Sequence, residues 1–226
     1  MPLFPIALLL GLLCFFASAP NLQASDCLGA KEAPLALIYL HGLETPSGSL
    51  SEEEVLNRRV LTRIASELPI RIALPTSTQL CDDKLCWPGR DAEEVKQTYQ
   101  GLLKISELCW SRPQAFPSRF AILGFSNGGY FAFKLFKTEF DPRLLAILAS
   151  GSAGQWNAKT DRHHPKASFH LMIGEQELTF KAARALAKNL RVSLPSFKLH
   201  TYTGGHRLDH DTLLGLLKPL ATDPKP

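Results

Sequence analysis

Ser126, Glu177 and His206 are the residues whose types, order and surroundings could together perform nucleophilic catalysis. A serine hydroxyl is a poor nucleophile until a base takes its proton, and that base needs an anion to orient it and stabilise its charged form. Ser126 lies in Gly124-Phe125-Ser126-Asn127-Gly128, after the apolar run Ala121-Ile122-Leu123 and before Tyr130-Phe131-Ala132-Phe133. That context reads as a buried strand, a very tight turn carrying the serine, and a helix. Gly124 and Gly128 have no side chain, so strand and helix can approach closely on either side of the turn. The helix start aims free N–H groups and a positive dipole end at whatever binds there.

His206 stands on a Gly204-Gly205 turn, from which it can swing over Ser126. Among the other histidines, His163 and His164 fall in a polar loop and read as solvated, and His170 and His200 fall within strands. His41 belongs to a His41-Gly42-Leu43 turn, and His210, in the last helix, is the rival base. The acid is expected at Glu177, three residues after Gly174 at a strand end, with Glu175 and Asp161 as competitors. A tetrahedral intermediate needs two preorganised N–H donors, and the amides of Asn127 and Leu43 are the candidates for this oxyanion hole. Ser, acid, His is also the chain order that goes with a serine on a strand-to-helix elbow.

The elements that must position these residues alternate along the chain. Strand-like runs occur at 35–40, 70–74, 120–123, 144–149, 169–173 and 197–202, with helical patterns at 51–68, 91–108, 127–138, 179–190 and 209–217. Hydrophobic strands alternating with helices imply an α/β fold: a mostly parallel sheet of about six strands, covered on both faces. The Pro-containing ends, up to Pro34 and after Lys218, read as tails. The longest irregular connection, 150–168, is too short for a lid domain. In such a sheet, ligands bind at the carboxyl ends of the strands, where His41–Leu43, Ser126, Glu177 and His206 all fall.

Residues 6–16 form an unbroken apolar segment with small residues behind it, and the first acid is Asp26. That is a secretory signal pattern, too short for a membrane span, and cleavage is expected after Ala24. Residues 25–226 then form one domain, exported to a periplasm or beyond, with no stable membrane insertion once the signal is removed. The formal net charge of +4 is spread without Lys/Arg runs interleaved with aromatics, which argues against nucleic acid as a partner. Cys27, Cys81, Cys86 and Cys109 remain after processing, an even count that reads as two disulfides with three possible connectivities. The short loop between Cys81 and Cys86 favours that pair and leaves Cys27 with Cys109. A zinc site is disfavoured because C-x4-C lacks a second ligand pair nearby, so no metal is expected.

Gly124-Phe125-Ser126-Asn127-Gly128-Gly129, His41-Gly42-Leu43 and Gly205-His206 resemble the α/β-hydrolase superfamily. Within it, the chain is most similar to the small lidless carboxylesterase/phospholipase group that includes acyl-protein thioesterases. The resemblance runs from about Leu35 to His210. It implies a Ser-acid-His esterase acting on small ester substrates, without a cofactor. That group usually has aspartate in place of Glu177 and Val-Pro in place of Thr179-Phe180. Cys86-Trp87 resembles secreted polyester-depolymerase and feruloyl-esterase relatives. Trp87, Tyr130 and Trp156 fall near strand ends and could wall an acyl or aromatic pocket. An amidase, peptidase or thioesterase would use the same residues, and a non-catalytic binding protein could be built on the same fold.

Overall fold

The computed structural model describes residues 22–110, 117–139, 141–157, 159 and 161–222, with backbone alone at 23–25. The elements run β1 (Leu22–Leu28), β2 (Leu35–Leu40), α1 (Glu52–Glu67), β3 (Ile70–Ser77), a small hairpin of β4 (Leu80–Cys81) and β5 (Lys84–Leu85), and α2 (Ala92–Ser106), which ends in a 3-10 turn, Glu107–Cys109. They continue as β6 (Phe120–Phe125), α3 (Asn127–Thr138), β7 (Leu144–Ser150), β8 (Ser168–Gly174), α4 (Phe180–Ser193), β9 (Phe197–Tyr202) and α5 (His210–Thr222).

Among the described residues seven strands form one sheet in the order β1-β3-β2-β6-β7-β8-β9. All neighbours are parallel except β1, which runs antiparallel to β3. One core face packs Leu61 and Ile64 of α1 and Leu213 and Leu217 of α5 against Leu35, Leu37 and Leu123. The other packs Leu102, Phe131, Leu135, Leu186 and Leu190 of α2, α3 and α4 against Ile38, Ile122 and Ile147. Helices on both faces explain why a strand such as β2 is buried at every residue and reads as a continuous apolar run.

Two expectations about the ends change. The segment before Pro34 supplies β1, a seventh strand, tied to the 3-10 turn by a Cys27–Cys109 disulfide. Beside that bridge, the buried Arg71 donates from Nε to the Cys109 carbonyl at 3.0 Å and from a second nitrogen to the Gly29 carbonyl. After Lys218 the chain stays helical to Thr222, taking Pro219 into the last turn. The second disulfide, Cys81–Cys86, closes the β4–β5 hairpin. Residues 1–21 of the expected signal lie outside the described residues. The first three residues of β1, Leu22 to Ala24, precede the expected cleavage point, and cleavage there would keep Asp26, Cys27 and Leu28 opposite Leu74, Ala73 and Ile72, beyond a register shift. Among the described residues no helix is long and apolar enough to cross a membrane.

The chain steps from β2 outward to β3, then returns past β2 to β6 and continues to the opposite edge. The order therefore reverses between β2 and β6, which opens a crevice beyond their carboxyl ends. β2 delivers His41–Leu43 to that crevice, and β6 delivers Ser126.

Candidate active site

Ser126 joins β6 to α3 with φ 52° and ψ −114°, a left-handed backbone that is costly for a residue with a Cβ. Its amide donates to the Ser150 carbonyl at 2.8 Å, and its carbonyl accepts from the Tyr130 amide at 3.1 Å. Its side chain makes no cap bond to its own helix. The two flanking glycines are sterically obligatory. A Cβ on Gly124 would lie 2.1 Å from the Gly128 carbonyl oxygen, and one on Gly128 would lie 2.2 Å from that of Leu40.

Glu177 is buried, and each carboxylate oxygen has work. Oε2 lies 2.9 Å from His206 Nδ1. Oε1 accepts the Gly174 amide at 3.1 Å and lies 3.2 Å from the Tyr202 hydroxyl, which is also within donating distance of the Arg207 carbonyl. With Nδ1–H given to the carboxylate, the His206 Nε2 lone pair is free. The imidazole rests on the Phe125 ring at 4.6 Å between centroids. A Cβ on Gly151 would come within 2.8 Å of the His206 ring, and Gly151 itself has φ 61°. β6, β7, β8 and the turn after β9 thus each contribute to seating one imidazole beside the Ser126 turn.

The competitors are engaged elsewhere. Asp161 pairs with Lys137 at 2.7 Å and accepts the Asn157 amide. Glu175 is exposed beside α4. His210 lies between Asp211 and Glu67 at the start of α5. His164 corrects the reading of a solvated loop histidine: it is buried, with Nδ1 accepting the Ala167 amide at 2.7 Å and Nε2 donating to the Asp141 carbonyl at 2.8 Å. Among the described residues no cluster of three or more His, Cys, Asp or Glu side chains could hold a metal.

The His41–Leu43 turn faces the serine: a Cβ on Gly42 would lie 3.3 Å from Ser126 Cβ. His41 is buried and serves as a bracket. Its Nε2 accepts the Ser77 amide at 3.1 Å, so Nδ1 carries the proton and donates to the Gly42 carbonyl at 2.6 Å. Burial holds its pKa below the ordinary 6.5, which keeps the ring neutral and this bracket intact. Among the described residues, neither the Leu43 nor the Asn127 amide donates to a backbone carbonyl. Two N–H groups therefore remain unspent beside Ser126.

The three aromatic candidates separate. Trp87 is 4% exposed and stands behind the turn, its Nε1–H donating to the His41 carbonyl at 2.9 Å and its amide to Asn127 Oδ1 at 2.8 Å. The tertiary contacts add a supporting role that residue type does not signal, and Trp87 also borders a cavity with Pro88, Gly89 and Asn127. Tyr130 is 40% exposed on the first turn of α3. Trp156 packs on Phe133 and His163. Sequence reasoning missed Gly151 and Tyr202, for which no motif signals a contact with His206 or Glu177.

No protein-family model matches the chain, and no curated protein matches it either. Solved structures do. Esterase PE8 superposes with a TM-score of 0.63 at 18% identity, covering 86% of this chain and 97% of that one. The carboxylesterase of Bacillus cereus gives 0.59 at 15% identity over 86% and 91%. FphF, a fluorophosphonate-binding serine hydrolase of Staphylococcus aureus, gives 0.57 at 17% over 90% and 93%. The fold is that of the α/β-hydrolases. Among the described residues no lid is evident over this sheet.

Proposed function

We propose that the protein is an exported serine hydrolase that cleaves small carboxylic esters through an acyl-Ser126 intermediate. The observation that carries this reading is the Glu177–His206 hydrogen bond of 2.9 Å beside a serine held at φ 52° on a strand-to-helix elbow. His206 Nε2 takes the Ser126 proton as Oγ bonds to the ester carbonyl carbon, and the carbonyl π electrons move onto oxygen. The amides of Leu43 and Asn127 hold that oxyanion, each worth about 3 kcal/mol of barrier. Collapse breaks the bond to the alcohol oxygen, which leaves with the proton from His206. Water then attacks the acyl carbon, giving its proton to His206, and the acid departs as Ser126 recovers its hydrogen. The Glu177 carboxylate orients the imidazole and steadies the imidazolium. The similar structures include esterases and a serine hydrolase, which agrees with this chemistry.

Export is supported by the apolar N-terminal segment and the two disulfides. With Trp87 only 4% exposed, little apolar surface is left among the described residues to hold a long acyl chain, so short acyl esters are the proposed substrates. The test combines fluorophosphonate labelling with turnover of p-nitrophenyl esters of graded length. The expected result is a single adduct on Ser126, none in Ser126→Ala, and kcat/KM highest for short chains. Undiminished turnover by folded Ser126→Ala would reject the mechanism, and a long-chain optimum would reject the substrate class.

A further inference from the structure

The β4–β5 hairpin has two-residue strands, a two-residue turn and largely exposed side chains from Leu80 to Lys84. A ribbon this short is not stable by its own hydrogen bonds. Asp82 at its turn has φ 56°, a left-handed position that an aspartate tolerates. The Cys81–Cys86 bond closes it, with 5.7 Å between Cα atoms.

What this hairpin touches is the turn that carries the Leu43 amide, and it grips that turn on both sides. Downstream of Leu43, Glu44 and Leu85 exchange both backbone hydrogen bonds, at 3.2 and 2.7 Å. Upstream, Trp87, the residue after Cys86, donates its indole N–H to the His41 carbonyl. Ser77, at the hairpin's base, gives its amide to His41 Nε2 and its hydroxyl to the Cys86 carbonyl at 2.6 Å. Cys86 closes the ladder by donating to the Gln79 carbonyl at 2.9 Å. Leu43 lies between the two grips with its side chain 45% exposed, so its own packing does little to fix the height of its amide.

We propose that the disulfide-closed hairpin is the positioning element of the oxyanion hole, with Cys81 and Cys86 acting on catalysis through Leu43 without touching substrate. The proposal rests on the ester-hydrolase reading above and adds to it a role for residues remote from the reacting atoms. An oxyanion donor must be held to about 0.5 Å, and losing one lowers kcat by about 10²–10³. Opening the hairpin frees the Leu85 and Trp87 grips together, so the amide drifts while the substrate's other contacts remain.

The experiment compares the Cys81→Ser/Cys86→Ser double variant with Cys27→Ser/Cys109→Ser, which breaks the bridge far from the crevice. Kinetics on a short p-nitrophenyl ester are joined to the affinity of a trifluoromethyl ketone, whose tetrahedral adduct puts an oxyanion in the same hole. The expected result for the hairpin variant is a kcat lower by at least about tenfold, an unchanged KM, and a matching loss of ketone affinity. The Cys27/Cys109 variant should keep kcat per folded molecule and lose melting temperature. Trp87→Phe removes the indole hydrogen bond and part of the ring's packing on His41 and Phe131, keeps the disulfide, and should shift kcat and ketone affinity together by a smaller factor. It carries the test if the double variant does not fold. Unchanged kcat in folded hairpin variants, or a raised KM with ketone affinity intact, would overturn the proposal. Failure of the underlying reading is seen separately, as activity surviving in Ser126→Ala.

Discussion

Glu54 and Glu177 are both buried glutamates, and each faces a tyrosine hydroxyl and a basic side chain. Glu54 accepts from Tyr39 at 2.7 Å and from Arg58 Nε at 3.0 Å, one turn along α1. Glu177 faces Tyr202 and His206. The difference lies in the partner. Arg58 is always charged and never gives up its proton, so the Glu54 group only holds α1 to β2. His206 can take and return a proton, and it sits on a loop beside a serine. A buried carboxylate is therefore no sign of an active site unless the group it orients can titrate and reaches a crevice.

The sharpest way to break this comparison is to neutralise each acid in turn. Glu177→Gln should lower kcat for ester hydrolysis by about 10⁴ with the melting temperature nearly unchanged. Glu54→Gln should leave the kcat of the folded protein intact. Equal losses in steady-state kinetics would mean that both carboxylates act on catalysis. Glu54→Ala leaves the half-buried Arg58 with Asp26 alone and takes the acceptor from the buried Tyr39 hydroxyl, and should cost about 2 kcal/mol of stability by urea unfolding. A loss no greater than that of a surface substitution would show that the network contributes nothing to the fold.

The tyrosines sharpen the contrast at lower amplitude. Tyr39→Phe and Tyr202→Phe should each destabilise by about 1–2 kcal/mol, as expected for a hydrogen bond to a charged group. Only Tyr202→Phe should also lower kcat, because only its carboxylate orients a base. The smallest effect is a pH slope. Burial holds the Glu54 carboxyl above its ordinary 4.5, so the folded chain binds that proton more tightly than the unfolded chain. Acidification through the window from the raised folded value down to 4.5 should therefore stabilise the parent relative to Glu54→Gln. Against this, burial pushes His170 down to about 4, so its contribution is lost as pH falls from 6.5 toward 4. Denaturant titrations of Glu54→Gln and His170→Leu at several pH values would separate the two opposite slopes.

The site was legible where backbone chemistry leaves a trace in residue type. Gly124 and Gly128 announce the close approach around Ser126, and the Gly174 strand end and Gly204-Gly205 turn locate Glu177 and His206. The inward role of Glu54 left no trace in the sequence, for a physical reason. Three successive acids at a helix start satisfy the dipole equally well on paper, and Ser51 with Glu54 has the spacing of a reciprocal cap. The Ser51 hydroxyl does accept the Glu54 amide, but Glu44 takes the Ser51 amide and hydroxyl, which releases the Glu54 side chain inward to Tyr39. That exchange depends on a loop with no local signature. β1 was missed because an antiparallel edge strand of mixed polarity lacks the apolar run of a central strand. The hairpin was missed because two-residue strands give no periodicity to read.

The outer strands of the sheet carry a further consequence. Among the described residues β1 and β9 end the ladder, and the outer margin of an edge strand is the usual template on which another chain can grow. β1 meets this with a register shift between Gln23 and Asp26, and β9 with the exposed Lys198. A second copy approaching either margin encounters a kinked rail or a positive charge instead of a flat, matching ribbon. The margins thus guard against fibre growth by strand geometry and charge alone.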